Sequence, residues 1–502
     1  MIELSDDFDD LVWDRNEAEW EVVQPKLRQS ATLYAVEDLG TAMFGSTAKW
    51  VSPMSIGGYN IIYRLKVEGF DSEVLLRRPI PCYAQFPVEK TLIEAATMMY
   101  VKKRTKIPVP QIFFHGEDPN LGPYIIMEYT QHFQCMSTAQ NATNEDKSIP
   151  FTLNPNISVE VLENHYRHVA VCLLELSQHI FPRIGSLVEV KPGTFSIAAR
   201  PVTKNMNDML QLANIPGVIL PPQSKTYQTA DEYYTWLAEM HIAQLVFQQN
   251  DLVRTEHECR NKYVARHVFR RLARDGKLSK FGFKEDDWSA QSKTTKGMDL
   301  SPMPSNSDSF RLYCDDFRPS NILLSSSDTI SAIIDWEFTY AAPSQFSLDP
   351  PWWLLLDTPN QWDAGLDNWT TLYEPRLETW LSAMEKAEHD TKLNSGITSV
   401  PLSTYMRESW ETGRFWLSYA ARKSWAFEIV YWKYLDERFF GAREEGLPRD
   451  WYWKARIGLL SEEERDAMEG FVEWKMESRK ERKIVDWDPE DAKSRFAEML
   501  FD

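Results

Sequence analysis

The sequence contains no continuous run of 18 apolar residues, so no membrane-spanning helix is predicted. Its acidic first residues, 1–7, lack the apolar segment of a secretion signal. The five cysteines include no C-x-x-C pair, and the nine histidines show no spacing suited to a metal site or a catalytic triad. These absences argue against a disulfide framework and a zinc site, and they favour a cytoplasmic location.

Positive charge is also scarce, with 55 Lys and Arg against 74 Asp and Glu and a formal net charge of −19. This balance argues against nucleic acid or an anionic membrane as the main partner, and it is compatible with a cationic small molecule. A hydrophobic content of 43% and a charged content of 26% are typical of a globular protein. A chain of 502 residues exceeds one hydrophobic core, so we expect two lobes.

Residues 312–337 carry the most informative pattern, which begins LYCDDFRPSNILL and ends IIDWE. Asp316 and Asn321 have the spacing D-x-x-x-x-N, and Asp335 follows an apolar segment. Phosphoryl transfer to a hydroxyl needs a carboxylate that orients and deprotonates the acceptor, and oxygen ligands that hold Mg²⁺ against the phosphates. Asp316 suits the first role, and Asn321 and Asp335 suit the second.

An ordinary polar loop is the alternative interpretation, since Asp, Pro, Ser and Asn are common in turns. Asp335 could then simply end a buried strand. The apolar runs 322–324 and 330–334 predict a hairpin around the polar residues 325–328. The combination of this hairpin with the three polar residues favours the phosphoryl-transfer interpretation over the loop.

The segments CDDFRPSN and IDWE resemble the H-G-D-x-x-P-x-N and I-D-W-E segments of the aminoglycoside phosphotransferase and choline kinase-like family. The likeness is greatest to uncharacterised fungal members, and it extends from about residue 49 to about residue 353. It implies a protein kinase-like bilobal α+β fold, with a small antiparallel β lobe plus one helix and a large helical lobe. It also implies ATP- and Mg²⁺-dependent transfer of the γ-phosphoryl group to a hydroxyl of a small molecule. Cys314 departs from the family pattern, which has histidine there, and we interpret it as a buried thiol rather than a nucleophile.

The chain order agrees with such a fold. Alternating apolar residues predict a strand at 60–67, and further strands are predicted at 74–77, 111–114 and 124–129, with a helix at 88–104. We therefore divide the chain into four parts: an N-terminal extension at 1–48, a small lobe at 49–130, a loop insert at 131–157 and a mainly helical lobe at 158–502.

Further elements are predicted within these parts. Helices are expected at 16–31 and 405–438, and a strand is expected at 194–199 within an otherwise loop-rich stretch. Residues 280–308, rich in Ser, Lys, Asp and Thr, predict a linker that leads into the segment 312–337.

Two features of the small lobe suggest phosphate contacts. Gly57 and Gly58 precede the strand at 60–67, and glycines let backbone N–H groups approach phosphate oxygens, although two glycines also suit a plain turn. Arg77 stands where kinases carry the lysine that holds the α- and β-phosphates, and a guanidinium offers two donors for that purpose. Its neighbour Arg78 is the alternative, because only one of the two can face the cleft.

Two acidic positions complete the predicted nucleotide site. Glu94 on the helix at 88–104 is expected to pair with Arg77, with Glu89 as its rival. Glu128 and Tyr129 end an apolar strand before a polar loop, which indicates a hinge whose peptide groups would contact adenine. Glu337 follows Asp335 by two residues and is expected to stabilise the loop that carries Asp335 or to reach the metal through water.

Two other functions stay open. A pseudokinase, which keeps the fold as a nucleotide-binding or interaction module, is favoured by Arg77 and Cys314, whereas the complete set of Asp316, Asn321 and Asp335 favours catalysis. A protein kinase is disfavoured, because no D-F-G or A-P-E pattern and no phosphorylatable loop follows Asp335. The sequence does not reveal the oligomeric state.

Overall fold

A computed structural model describes residues 8–142, 151–294 and 299–501 of the chain. Helices and antiparallel sheets occur together in it, which confirms the α+β prediction. Two helices come first, α1 (Asp10–Leu27) and α2 (Ser30–Phe44), where the sequence predicted one helix at 16–31. Val36 and Leu39 of α2 belong to the hydrophobic cluster of the first sheet, so the N-terminal segment packs on that sheet.

The first sheet has five antiparallel strands in the order β1-β2-β3-β5-β4. Ile61, Tyr63, Leu65 and Val67 of the second strand are fully buried, as their alternation predicted. Helix α3 provides buried apolar residues to the larger of the two hydrophobic clusters, whose other members come mainly from the helical part of the chain. The elements are β1 (Ala48–Ile56), β2 (Asn60–Val67), β3 (Val74–Pro79), α3 (Pro87–Arg104), β4 (Ile112–Asp118) and β5 (Gly122–Glu128).

The rest of the chain is mainly helical and includes three small antiparallel sheets, with the orders β11-β10-β6, β12-β9 and β7-β8. Its strands are β6 (Gln134–Cys135), β7 (Ser186–Lys191), β8 (Thr194–Ala199), β9 (Arg311–Cys314), β10 (Ile322–Leu324), β11 (Ile330–Ile333) and β12 (Thr339–Ala342). Its helices are α4 (Met136–Gln140), α5 (Val159–Ser177), α6 (Lys204–Ala213), α7 (Ala230–Phe247), α8 (Glu256–Arg274), α9 (Ala290–Thr294), α10 (Ser344–Ser347), α11 (Gly365–Thr391), α12 (Leu402–Thr412), α13 (Arg414–Arg422), α14 (Phe427–Val430), α15 (Asp436–Phe440), α16 (Tyr452–Arg456), α17 (Glu462–Lys480) and α18 (Pro489–Glu498).

Three expectations for this part need correction. The predicted loop insert at 131–157 contains β6 and α4, and its residues 143–150 lie outside the described part of the chain. The predicted linker at 280–308 contains the short helix α9. The long helix predicted at 405–438 is interrupted, first at Gly413, whose φ of 84° is a left-handed conformation that ends a helix.

The chain passes from the first sheet to the second through residues 129–133, a segment that begins with Tyr129 of the predicted hinge. After Glu128 ends β5, the N–H of Phe133 donates to the carbonyl of Leu324 at 2.8 Å, and β6 then pairs with β10. This crossing places the end of the five-stranded sheet beside the β10–β11 hairpin. Within the described ranges, no helix is long and apolar enough to cross a membrane.

Candidate active site

Two neighbouring loops carry the polar residues of segment 312–337. The first loop connects β9 to β10 and the second connects β11 to β12; because β9 pairs with β12 and β10 with β11, the loops lie side by side. Backbone hydrogen bonds join them directly: the N–H of Asp315 donates to Phe338 O at 3.1 Å, and the N–H of Ile334 donates to Asn321 O at 2.9 Å. The predicted hairpin is thus present, and it brings the two loops together.

Asp316 and Asn321 form a compact unit in the first loop. The amide Nδ2 of Asn321 donates to the backbone carbonyl of Asp316 at 2.9 Å and to its carboxylate Oδ2 at 3.2 Å. Nε of Arg318 lies 3.0 Å from the other carboxylate oxygen. Burial raises the pKa of Asp316 above its ordinary value, although the charges of Arg318 and Lys204 oppose the rise. A carboxylate held in this way is oriented and has an increased affinity for a proton.

Asp335 begins the turn of the second loop in a left-handed conformation, with φ 66°. Its carboxylate Oδ1 lies 2.5 Å from Nη2 of Arg77 on β3. Burial raises the pKa of Asp335, and the guanidinium of Arg77 opposes that rise. This ion pair connects the second loop of the helical part to the five-stranded sheet.

Arg77 contacts three carboxylates at once. Besides Asp335, its guanidinium lies 3.3 Å from Glu94 on α3 and 3.1 Å from Glu337. Burial lowers the pKa of Arg77, but the three acidic neighbours outweigh burial and raise it, so the guanidinium stays charged. Burial raises the pKa of Glu94 to about 7, against the opposing charge of Arg77. The structure therefore brings together the sequence-predicted residues Arg77, Glu94 and Asp335.

The two rivals named from the sequence lie outside this cluster. Glu89 forms an ion pair with Arg200, whose Nη2 lies 2.7 Å from Oε1 of the carboxylate. Arg78 has no carboxylate within ion-pair distance among the described residues, and its pKa is lowered by burial. Arg77 and Arg78 have different surroundings because adjacent side chains on a strand point to opposite faces of the sheet.

Lys90 and Asn60 also belong to the cluster, and sequence reasoning did not identify them. The Lys90 ammonium is 1% exposed and donates to Glu337 and, at 3.0 Å, to the amide oxygen of Asn60. Nδ2 of Asn60 donates to Glu337 at 2.7 Å. Burial raises the pKa of Glu337, but the charges of Lys90 and Arg77 prevail and lower it to about 2. Lys90 lies one helical turn before Glu94, so the i, i+4 spacing could have revealed it.

The glycine turn is the link between β1 and β2. The N–H of Gly57 donates to Asn60 O at 2.8 Å, which places the turn next to the charged cluster. Neither Gly57 nor Gly58 has a positive φ, and a Cβ on Gly58 would have no heavy atom of the described residues within 4 Å beyond its chain neighbours. The local backbone therefore does not itself require glycine at position 58.

Glu128 and Tyr129 have other neighbours. The backbone N–H of Glu128 donates to Gln111 O at 2.8 Å, and its carboxylate accepts from the N–H of Gln111 at 3.0 Å. The guanidinium carbon of Arg64 lies 5.1 Å from the centroid of the Tyr129 ring. The side chains of these two residues are thus occupied outside the charged cluster, and the N–H of Glu128 is used within the sheet.

Helix α6 connects the two parts of the molecule, and sequence reasoning missed it in a region read as loop-rich. Its first residue, Lys204, donates its N–H to Asp315 at 3.2 Å and its ammonium to Asp208 at 2.6 Å. The Tyr59 hydroxyl, which follows the glycine turn, donates to Asp208 at 2.7 Å. Asn207 accepts from the N–H of Gln85 at 2.9 Å. The helix therefore holds both the glycine turn and the first loop.

A small cavity lies beneath the first loop. It has a volume of about 90 Å³, and its lining includes Cys314, Phe317, Trp336, Trp352, Tyr419 and Arg422. Burial raises the pKa of the Cys314 thiol, which keeps the sulfur protonated as expected of a non-nucleophilic cysteine. Asp349, also part of the lining, accepts from the Ser409 hydroxyl at 2.5 Å.

The donor set of the two loops fits Mg²⁺, which prefers carboxylate and amide oxygens. Asn321 uses its amide nitrogen for Asp316, and no hydrogen bond to its Oδ1 occurs among the described residues, so that oxygen can serve a cation. Oδ2 of Asp335 is likewise outside the contact with Arg77. A separate group of three carboxylates, Asp9, Asp10 and Asp251, lies elsewhere, and Arg482 forms ion pairs with Asp10 and Asp251.

No protein-family model matches the chain, and no curated protein matches it. Several solved structures are similar to it. A macrolide 2′-phosphotransferase type I is 14% identical, with 82% of this chain and 96% of that chain covered and a TM-score of 0.37. The aminoglycoside phosphotransferase APH(4)-Ia is 14% identical, with 79% and 98% covered and a TM-score of 0.38. A putative fructosamine-3-kinase from Haemophilus somnus 129PT is 11% identical, with 75% and 96% covered and a TM-score of 0.34. All three TM-scores lie below 0.5.

Proposed function

We propose that this protein is an ATP-dependent phosphotransferase with a protein kinase-like bilobal fold, which transfers the γ-phosphoryl group to a hydroxyl of a small molecule. The observation that carries the proposal is the convergence of the two loops and β3. It places the Asp316–Asn321 pair next to Asp335, with Arg77 bridging Asp335 and Glu94. An oriented carboxylate, two oxygen ligands and a fixed guanidinium are the groups that phosphoryl transfer requires.

Asp316 is the group that handles the acceptor. Its carboxylate, held by Asn321 and Arg318, would accept a hydrogen bond from the acceptor hydroxyl and take its proton as the new O–P bond forms. Burial raises the pKa of Asp316, which makes the carboxylate a better proton acceptor than an exposed aspartate. Asn321 and Arg318 would keep it in place without a reorganisation of the loop.

Asn321 and Asp335 would hold Mg²⁺, whose charge, when the ion is bound, neutralises phosphate oxygens. Arg77 would contact the phosphates, Gly57 and Gly58 would cover them, and Glu94 would keep the guanidinium at the cleft. Peptide groups near Glu128 and Tyr129 would contact adenine, with the exception of the N–H of Glu128, which the sheet already uses. Lys90 keeps Glu337 charged and fixed, so Glu337 would stabilise the loop that positions Asp335.

A pseudokinase remains the second candidate because of one observation. Arg77 and Lys90 already neutralise Asp335 and Glu337 within the protein, so the acidic loop is stable as an internal ion-pair network. Calorimetry with ATP, with and without Mg²⁺, followed by an ATP-consumption screen over amino alcohols, sugars and aminoglycosides, separates the two functions. Nucleotide binding without turnover on any acceptor would favour the pseudokinase.

Asp335→Asn is expected to abolish the Mg²⁺ dependence of ATP binding, because the amide removes the negative charge of the proposed metal ligand. Asparagine tolerates the left-handed backbone at this position, so the loop should keep its conformation. Asp328→Asn is the matched control, since Asp328 is also left-handed with φ 55° but lies at the tip of the hairpin. Titration of each variant with ATP at several Mg²⁺ concentrations is the measurement; an unchanged dependence in Asp335→Asn would place the metal elsewhere.

Gly58→Ala is expected to weaken ATP binding severalfold and to leave the free energy of unfolding almost unchanged. Beyond its chain neighbours, the added Cβ meets no atom of the described residues within 4 Å, so a ligand that approaches the turn would be hindered. Gly458→Ala is the control, because Gly458 also has open space and no positive φ. If Gly58→Ala binds ATP as the native protein does, the two glycines form a turn and nothing more.

A further inference from the structure

The ammonium group of Lys423, directly after α13, has no counter-ion among the described residues. No carboxylate lies within 4.0 Å of it, and no hydrogen-bond acceptor contacts it, among the residues that the structure describes. Its Nζ lies 5.6 Å from the ring centroid of Trp352 and 5.4 Å from that of Tyr419, two rings that line the cavity beneath the first loop. A half-buried lysine on aromatic rings is partly desolvated and lacks the partner that such a charge normally has.

The acidic groups nearest to Lys423 are already bound to other cations. Asp315 accepts from the N–H of Lys204 and lies 3.7 Å from Nη1 of Arg422. Asp208 accepts from the Lys204 ammonium and the Tyr59 hydroxyl. Burial and the charges of Lys204 and Arg422 together lower the pKa of Lys423 to about 8, although the carboxylates of Asp315 and Asp208 oppose the shift. The space around Lys423 is therefore electropositive.

This electropositive space borders the first loop, which carries the proposed base. Asp315 precedes the proposed base Asp316 directly, and the charge of Lys204 acts on both carboxylates. The charged cluster around Arg77 belongs instead to β3 and α3. An acceptor that reaches Asp316 from the side of α6 and α13 would meet the positive charges of Lys204 and Lys423, and not the carboxylates around Arg77.

We propose that the acceptor of this protein carries an anionic group, a carboxylate or a phosphate, and that Lys423 binds it. The inference rests on the proposed function. It differs from the expectation drawn from the net charge of the chain, which is compatible with a cationic acceptor. A protonated amine at this position would be repelled by Lys423, Lys204 and Arg422, whereas an anion would supply the missing counter-ion.

The test compares three small alcohols that share a hydroxyethyl unit and differ in the charge of the other terminal group: 3-hydroxypropionate, propane-1,3-diol and 3-aminopropan-1-ol. Glycerol 3-phosphate is added as an alcohol that carries a phosphate. Binding to the full chain is measured by calorimetry without nucleotide, so that the result does not depend on turnover. We expect an anionic alcohol to bind at least about tenfold more tightly than the diol, and the amine to bind least. Tighter binding of glycerol 3-phosphate would identify phosphate as the preferred group, and tighter binding of 3-hydroxypropionate would identify carboxylate.

Variants assign the effect to one side chain. Lys423→Met should reduce anion binding to the level of the diol, and Lys423→Arg should keep it. Lys433→Met is the matched control, because Lys433 also lies near an aromatic ring, at 5.7 Å from Tyr434, but has its own partner Asp367. Anion binding by the native protein should weaken as pH rises through about 8, where Lys423 loses its charge, and should not do so in Lys423→Arg.

Several results would overturn the inference: binding of the amine that equals or exceeds that of the anions, unchanged anion binding in Lys423→Met, or no saturable binding of either anion. A melting temperature for each variant shows whether the fold is retained, and Lys423→Arg keeps the test valid if Lys423→Met does not fold. Failure of the phosphotransferase proposal has a different signature, because anions would then bind through Lys423 while ATP neither binds nor is consumed.

Discussion

Asp316→Asn should reduce phosphoryl transfer by about 10²- to 10⁴-fold, the usual contribution of an oriented general base. The change removes the proton acceptor and preserves side-chain volume. The loop should persist, because Asn321 also donates to the backbone carbonyl of residue 316, a contact that the substitution does not remove. The measurement is turnover with saturating ATP and an identified acceptor, together with the dissociation constant for ATP, which should change little.

Asp328→Asn is a suitable control for this result, because it makes the same chemical change at the exposed tip of the hairpin. Near-normal turnover in Asp316→Asn would remove Asp316 from the role of base. If Asp316→Asn both binds ATP more weakly and melts at a lower temperature, Asp316 maintains the structure of the loop instead.

Arg77→Met should have the second large effect, on stability as well as on binding. Asp335, Glu94 and Glu337 would lose a shared buried counter-ion, and removal of one partner from such a network typically costs about 3–5 kcal/mol in the free energy of unfolding. ATP binding should be lost if the guanidinium contacts phosphates. Arg77→Lys keeps the charge but not the two-pronged geometry, so it should fold and bind ATP weakly.

Arg78→Met provides the matched control for the arginine series. Arg78 follows on the same strand, points to the opposite face and has no carboxylate within ion-pair distance among the described residues, so the loss of stability should be clearly smaller. Urea denaturation measures the free energy of unfolding, and calorimetry measures ATP binding. If Arg78→Met proves the more sensitive variant, the assignment of the phosphate contact to Arg77 fails. If both variants are folded and the native protein does not bind ATP, the fold serves as an interaction scaffold.

Several strands were predictable, because strands follow from local patterns of apolar residues. The strand at 60–67 and the hairpin around 325–328 occur where their apolar patterns placed them, as β2 and the β10–β11 pair. Helix boundaries were less predictable. The interrupted helix at 405–438 depends on Gly413, where sequence periodicity continues although the backbone turns.

The candidate site shows a similar division. Residue type and spacing alone singled out Asp316, Asn321 and Asp335, because the chemistry of a base and two oxygen ligands restricts which residues can serve. Arg77 was preferred to Arg78 from the sequence, but only the packing of β3 against α3 shows which of the two meets Glu94. The side of the strand that faces the helix is a property of the assembled sheet and not of either residue.

The sequence by itself determined the order of the elements and the chemical types of the central residues, since both follow from local patterns. Only the tertiary structure decided the partners of Lys90, Asn60 and Lys204, because their contacts join segments more than a hundred residues apart. The same holds for Lys423, whose surroundings come from α6, α13 and the first loop. A single lysine in a sequence does not indicate its role, because that role depends on the charges that folding places around it. Around Lys423, folding places the cations Lys204 and Arg422.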